Sequence, residues 1–116
     1  MANLSIAQRK FSRYLAQLIL WAYDNGYEIT MGEVYRTKEQ AELNAKLKRG
    51  IVNSLHRFCL AADLNLFKNG MYLTQSEEYR ELGEYWKSLD PACNWGGEWN
   101  DGNHFSLSWS ELPGVK

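Results

Sequence analysis

The run Ser54-Leu-His56-Arg-Phe-Cys59-Leu-Ala61-Ala-Asp63, with Asp101-Gly-Asn-His104 further along, constrains this chain more than any other feature. The chain has two histidines, and each lies near a carboxylate at a spacing that suits a metal site. Two imidazoles and one carboxylate can hold a zinc ion tetrahedrally and leave the fourth position open, the pattern of a catalytic rather than a structural site. Asp101, three residues before His104, is then a candidate base for water at that position. Any fold the chain adopts must bring these two segments together, and the chemistry they point to is that of a zinc hydrolase.

A chain of 116 residues makes one compact domain, expected over 1–116 with a short loose tail from residue 110 onwards. Hydrophobic residues at 45% and aromatics at 14% supply a sizeable core and argue against disorder. Five Trp and seven Tyr exceed what a minimal core needs, so some are expected along a groove. A net charge of −1 with intermixed signs argues against nucleic-acid binding, which needs a basic surface. Cys59 and Cys93 form no CxxC and no disulfide framework; reduced core thiols are the expectation, with a single bridge left open. The apolar positions 11, 14, 15, 18, 19 and 22 follow helical spacing, and Asp24-Asn25-Gly26 stands where a leader would carry its cleavage site. This is an amphipathic packing helix, and no membrane insertion is expected.

Along the chain, a first helix is expected from Ser5 to Asp24, ended by Asn25-Gly26. Tyr27 to Tyr35 reads as a strand in which Gly32 marks a bulge or a close backbone approach. Thr37 should cap a helix reaching Lys48, with Gln40 at the reciprocal capping position and Arg49-Gly50 ending it. Leu60 to Phe67 alternates, with Leu60, Ala62, Leu64 and Leu66 on one face and Ala61, Asp63 and Asn65 on the other. Lys68-Asn69-Gly70 turns into Met71-Tyr72-Leu73. Thr74 to Glu77 reads as a capping box for a helix ending at Leu89 before Asp90-Pro91. After a Gly- and Trp-rich loop, Asn103 to Trp109 is the last strand, carrying His104, Ser106 and Ser108 on its polar face. The fold class is α+β, a small antiparallel sheet with flanking helices.

If the strands carrying Asp63 and His104 are neighbours, both side chains leave one sheet surface and meet at a common ion, with His56 folding over from the preceding loop. Glu98 competes with Asp101 as the base, and an Asx-turn aspartate is the bland reading of Asp101. Arg36 has the fixed donors suited to a developing oxyanion or a carboxylate, or is a surface ion pair. Ser54 is either a site hydroxyl or a turn hydroxyl. Cys59 is expected as an inward-facing thiol near the strand's entrance, with a fourth metal ligand as the alternative.

Ser54-x-His56-x-x-Cys59-x-Ala61-x-Asp63 resembles the SxHxxGxAxD motif of the M15 peptidases, which include D-Ala-D-Ala carboxypeptidases, dipeptidases and phage L-alanyl-D-glutamate endolysins. Trp95-Gly96-Gly97-Glu98-Trp99 with Asp101-x-x-His104-Phe105, and Tyr35-Arg36-Thr37-x-Glu39-Gln40, are similar to two further segments of that family, in the family's order. Cys59 departs from the motif's glycine. The resemblance implies the D-Ala-D-Ala carboxypeptidase/hedgehog-like zinc peptidase fold. It also implies Zn2+ on His56, Asp63 and His104, Asp101 as catalytic base, Arg36 as a catalytic and substrate-binding residue, and Ser54 as a substrate-binding or orienting one.

The expected activity is hydrolysis of peptidoglycan stem peptides at the L-alanyl-D-glutamate bond by a monomer. A short chain without leader, anchor or wall-binding repeat resembles the phage endolysins, which stay in the host cytoplasm until released to the periplasm and wall for host lysis. The alternatives are a D,D-carboxypeptidase or dipeptidase, whose pocket takes a terminal carboxylate, and a non-catalytic zinc-bearing binding module.

Overall fold

The computed structural model describes residues 4–47 and 54–109. Helix α1, Leu4–Asp24, buries Phe11, Leu18 and Ala22, one apolar stripe at helical spacing. It stops where Gly26 takes a φ of +86°, which costs an L side chain but not a glycine. Strand β1, Tyr27–Met31, follows, then α2, Lys38–Lys46, whose N-cap Thr37 accepts from Gln40 N at 3.0 Å. The reciprocal half of that cap is not made: the Gln40 amide donates to Asn44 Oδ1 instead. The expected end of α2 at Lys48 and its Arg49-Gly50 stop lie outside the described residues, as does the tail after Ser110.

A single 3-10 turn, Leu55–Phe58, leads into β2, Ala61–Lys68. The Asn69-Gly70 turn, both residues at positive φ, folds it onto β3, Met71–Tyr72. A 3-10 turn, Ser76–Tyr79, precedes α3, Arg80–Leu89. The cap sits one residue later than expected, with Glu78 rather than Glu77 reaching back, to Gln75 N at 3.0 Å; Glu77 pairs with Arg80. The Gly- and Trp-rich loop contains a strand that periodicity did not reveal, β4, Cys93–Trp95, and a 3-10 turn, Gly96–Trp99. Strand β5, His104–Leu107, is shorter than expected.

All strand pairs are antiparallel, in the order β1-β2-β5-β4, with β3 pairing the far end of β2. Helices α1 and α3 cover the face carrying Leu64, Leu66 and Phe105, and Trp86 of α3 stands edge-on to Phe105 and Phe11. The Trp86 indole N–H reaches the carbonyls of Asn94 and Ser106, each at 3.1 Å, so the buried ring keeps its polar edge satisfied. Most of the tryptophan surplus is therefore core; Trp99 is the more exposed one, beside His104. Alternation along β2 matches expectation. On β5 the polar face is buried too, because the strand is central and the Gly96–Trp99 turn packs over it.

Candidate metal centre

The opposite face of the sheet carries the site. Asp63 and His104 are directly paired across β2 and β5, so both side chains leave the sheet at one point. His56 reaches them from the 3-10 turn before β2, held by Ser54, whose hydroxyl accepts from His56 N at 3.2 Å. Ser54 is itself buried. His56 Nε2 lies 3.4 Å and His104 Nδ1 3.6 Å from Asp63 Oδ1. One ligand atom from each of the three lies within 4.8 Å of the others.

This donor set fits zinc. Four ligands at ordinary zinc distances stand about 3.4 Å from one another, close to the separations found. His56 Nδ1 donates to Val34 O at 3.2 Å, which leaves Nε2 as the ring atom turned to Asp63. Two imidazoles and a carboxylate gathered this closely make a donor set that a cation can share. Burial pushes the Asp63 carboxyl up, yet hydrogen bonds and charge from His104 and His56 outweigh it and hold the group well below the usual carboxylate range.

Asp101 arrives on the loop after the Gly96–Trp99 turn. Its N–H donates to Gly96 O at 2.8 Å and its carbonyl accepts from His104 N at 3.0 Å. Gly96 is required here: a Cβ would meet the Asp101 carbonyl and come within 2.7 Å of His104 Cβ. Desolvation raises the Asp101 carboxyl above its ordinary value; the nearby histidines and Arg36 oppose that, and Asp63 adds to it. A polar depression of about 200 Å³, lined by Tyr72, Thr74, Ser76, Asn100 and Asn103 among others, opens beside Asp101. Glu98, the competing base, is bonded to Lys87 Nζ of α3 at 2.9 Å.

Arg36 follows β1, with its backbone N–H on His56 O at 3.0 Å. Its guanidinium is clasped by Glu33, through Nε at 2.8 Å and through one terminal nitrogen. Reading the sequence for metal and base residues missed Glu33. Its one signal was the adjacent Gly32, read as a bulge.

Cys59 differs from expectation. It is not an inward-facing residue of the strand but the C-cap of the 3-10 turn, half-buried, with φ 55° and ψ 39°. That left-handed conformation favours glycine. Among the described residues, the group able to hold a metal comprises His56, Asp63 and His104, without Cys59. Both cysteines are free.

An M15 peptidase family model, described as D-alanyl-D-alanine carboxypeptidase, matches residues 48–107. No curated protein matches the chain. Among solved structures, the fold is similar to the L-Ala D-Glu endopeptidase ChiX of Serratia marcescens, with a TM-score of 0.75 and 18% identity over 90% of this chain and 83% of that one. It is also similar to the vancomycin resistance D,D-pentapeptidase VanY, solved in complex with Zn(II), with a TM-score of 0.57 and 22% identity over 88% of this chain and 72% of that one.

Proposed function

The chain belongs to the M15 peptidases, and on that footing we propose that it hydrolyses the L-alanyl-D-glutamate bond of peptidoglycan stem peptides. That it is a zinc metallopeptidase of a peptidoglycan-hydrolysing family follows from the membership itself. The observation that carries the site assignment is the convergence of His56, Asp63 and His104 on one point of the sheet, next to Asp101.

In this reading His56, Asp63 and His104 are the ligands. When bound, zinc polarises a peptide carbonyl and makes water a better nucleophile at neutral pH. The Asp101 carboxylate accepts the proton of the attacking water and delivers it to the leaving amine. The Arg36 guanidinium donates to the carbonyl oxygen as negative charge develops there. Ser54 keeps His56 in place by capping its turn, and the carbonyl of Val34 holds the ring's tautomer.

The choice of bond is supported by fold likeness to an L-Ala D-Glu endopeptidase. We place the protein accordingly as a monomeric endolysin, stored in the host cytoplasm and released to the wall at lysis. The test is digestion of purified Gram-negative peptidoglycan with the termini read by mass spectrometry. New L-Ala carboxyl and D-Glu amino ends are expected, abolished by a chelator and by His56→Ala/His104→Ala, and restored to the wild type by zinc. Release of free D-Ala instead would identify a D,D-carboxypeptidase.

A further inference from the structure

We propose that the polar depression beside Asp101 is a subsite for an N-acetylated amino sugar, so that the enzyme reads the glycan end of its substrate as well as the peptide. The inference rests on the proposed cleavage after L-alanine. Tyr72, Thr74, Ser76, Asn100 and Asn103 line the depression, and Asp101 is shared with the metal centre. Among the described residues no cation lines it, and the charged group present, Asp101, repels carboxylates. What remains is neutral hydrogen-bonding chemistry. The side chains of Thr74, Asn100 and Asn103 make no hydrogen bond among the described residues. The Ser76 hydroxyl accepts from Gly102 N at 3.0 Å and keeps its own proton to donate. Tyr72 is exposed and braced by Phe67, with ring centroids 5.3 Å apart, and offers an aromatic surface to the C–H side of a pyranose. A sugar's hydroxyls and acetamide supply the matching donors and acceptors. At about 200 Å³ the depression is smaller than a drug-sized pocket of roughly 300–1,000 Å³, so it takes one ring and not a polymer.

Topology gives the substrate its direction. Phe67 and Lys68 of β2 pair with β1 on one edge and with β3 on the other, and β5 lies on the same side of β2 as β3. Arg36 follows β1, whereas the depression lies between β3 and the loop entering β5. Arg36 and the depression therefore flank β2 from opposite edges, with Asp63 between them. In a stem peptide the free carboxylates begin with the glutamate after L-alanine. The alanine nitrogen is instead held as an amide on the lactyl arm of N-acetylmuramic acid, and that end is neutral. The carboxylate-bearing end suits the side of Arg36, a cation in the field of Asp101, and the neutral glycan end suits the depression. The Ser76–Gly102 bond ties the two walls together, so the subsite is formed before any ligand arrives.

The test compares affinities of the zinc-loaded protein for N-acetylmuramyl-L-alanine and for N-lactyl-L-alanine, by NMR titration. The two ligands differ only in the sugar, and neither contains the bond to be cut. The sugar should tighten binding by about tenfold, as expected for a ring contact with one or two hydrogen bonds. In Tyr72→Ala, and independently in Thr74→Val/Asn103→Ala, that preference should fall towards parity. Equal affinities in the wild type, no detectable binding of N-acetylmuramyl-L-alanine, or a preference that survives both variants would overturn the proposal. A preference lost in Arg36→Gln but kept in Tyr72→Ala would put the sugar on the other side of Asp63 and overturn it as well. The measurement needs no turnover, so failure of the wild type to cut stem peptides would count against the proposed function while leaving this ratio to judge the subsite.

Discussion

Asp101 and Glu98 are near neighbours in sequence but are held by different partners. Asp101 shares the field of the two histidines and Arg36, and Glu98 is tied to Lys87. Asp101→Asn should therefore retain zinc and lose on the order of 10²–10⁴ in rate, while Glu98→Ala stays active; zinc content and wall-digestion rates measured on the same preparations decide between them. The raised carboxyl of Asp101 also has a stability consequence. A group whose folded pKa is raised favours the fold below its unfolded pKa, and that contribution is lost as pH rises through the folded value. In zinc-free protein, Asp101→Asn should thus melt above the wild type at pH 7, with the gap closing below pH ~4. Cys59 makes a second case at this scale. A left-handed backbone costs a non-glycine residue roughly 1 kcal/mol, partly offset by the looser unfolded chain that glycine brings. Cys59→Gly should stabilise the protein by ~0.5 kcal/mol in urea denaturation with zinc stoichiometry unchanged; zinc loss would make the thiol a ligand and the site a closed one.

The element that shapes the site is the bulge at the end of β1. Regular pairing stops at Met31 opposite Leu64, and Gly32 then passes against Asp63, where a Cβ would stand 2.8 Å from the Asp63 carbonyl oxygen and 3.1 Å from its Cβ. No flexible side chain is available there to yield, because the nearest atom is backbone. Gly32→Ala should push β1 away from β2, cost about 1–3 kcal/mol, and weaken zinc binding through displacement of Asp63. Calorimetric titration of zinc alongside thermal melting reads both effects, and unaltered zinc affinity would separate the bulge from the metal centre.

Across the whole molecule, two helices anchor one face of the sheet and the polar site occupies the other, so a metal held by His56, Asp63 and His104 would tie together chain segments far apart in sequence. Zinc that binds the folded form alone stabilises it by mass action. Chelation should lower the Tm. The difference between zinc-loaded and stripped protein should shrink as the solution is made more acidic, because protons compete with the metal for its ligands. A second acid effect lies lower. Asp63, held down by the histidines, and Asp90, held down by the Ala92 N–H and the Tyr14 hydroxyl, both have depressed folded pKa values. Their contribution is present above the ordinary carboxylate pKa and lost as pH falls through the folded values. Melting curves of the stripped protein between about pH 5 and pH 2 should show it. The Tyr14–Asp90 contact, 2.9 Å, joins α1 to the end of α3, so Tyr14→Phe should reduce the slope.

Local chemistry was legible in the chain because it acts over a few residues. The α1 stripe, the Asn69-Gly70 turn, the Thr37 cap and the alternation that puts Asp63 on the polar face of β2 are all set by neighbours within a turn or a strand. The two histidine segments likewise announced a zinc-type donor set, since their residue types and spacing have few other uses together. Tertiary structure decided the rest. Strand β4 is three residues long and too short to show a period, so pairing with β5 is what makes it a strand. The capping box before α3 starts at Gln75 rather than Thr74, at a turn that Ser76 ties to the distant Gly102 N–H. Glu33 carries no recognisable pattern of its own: a bulge against Asp63 turned it towards Arg36 and His56, and a bulge exists only once two strands are paired.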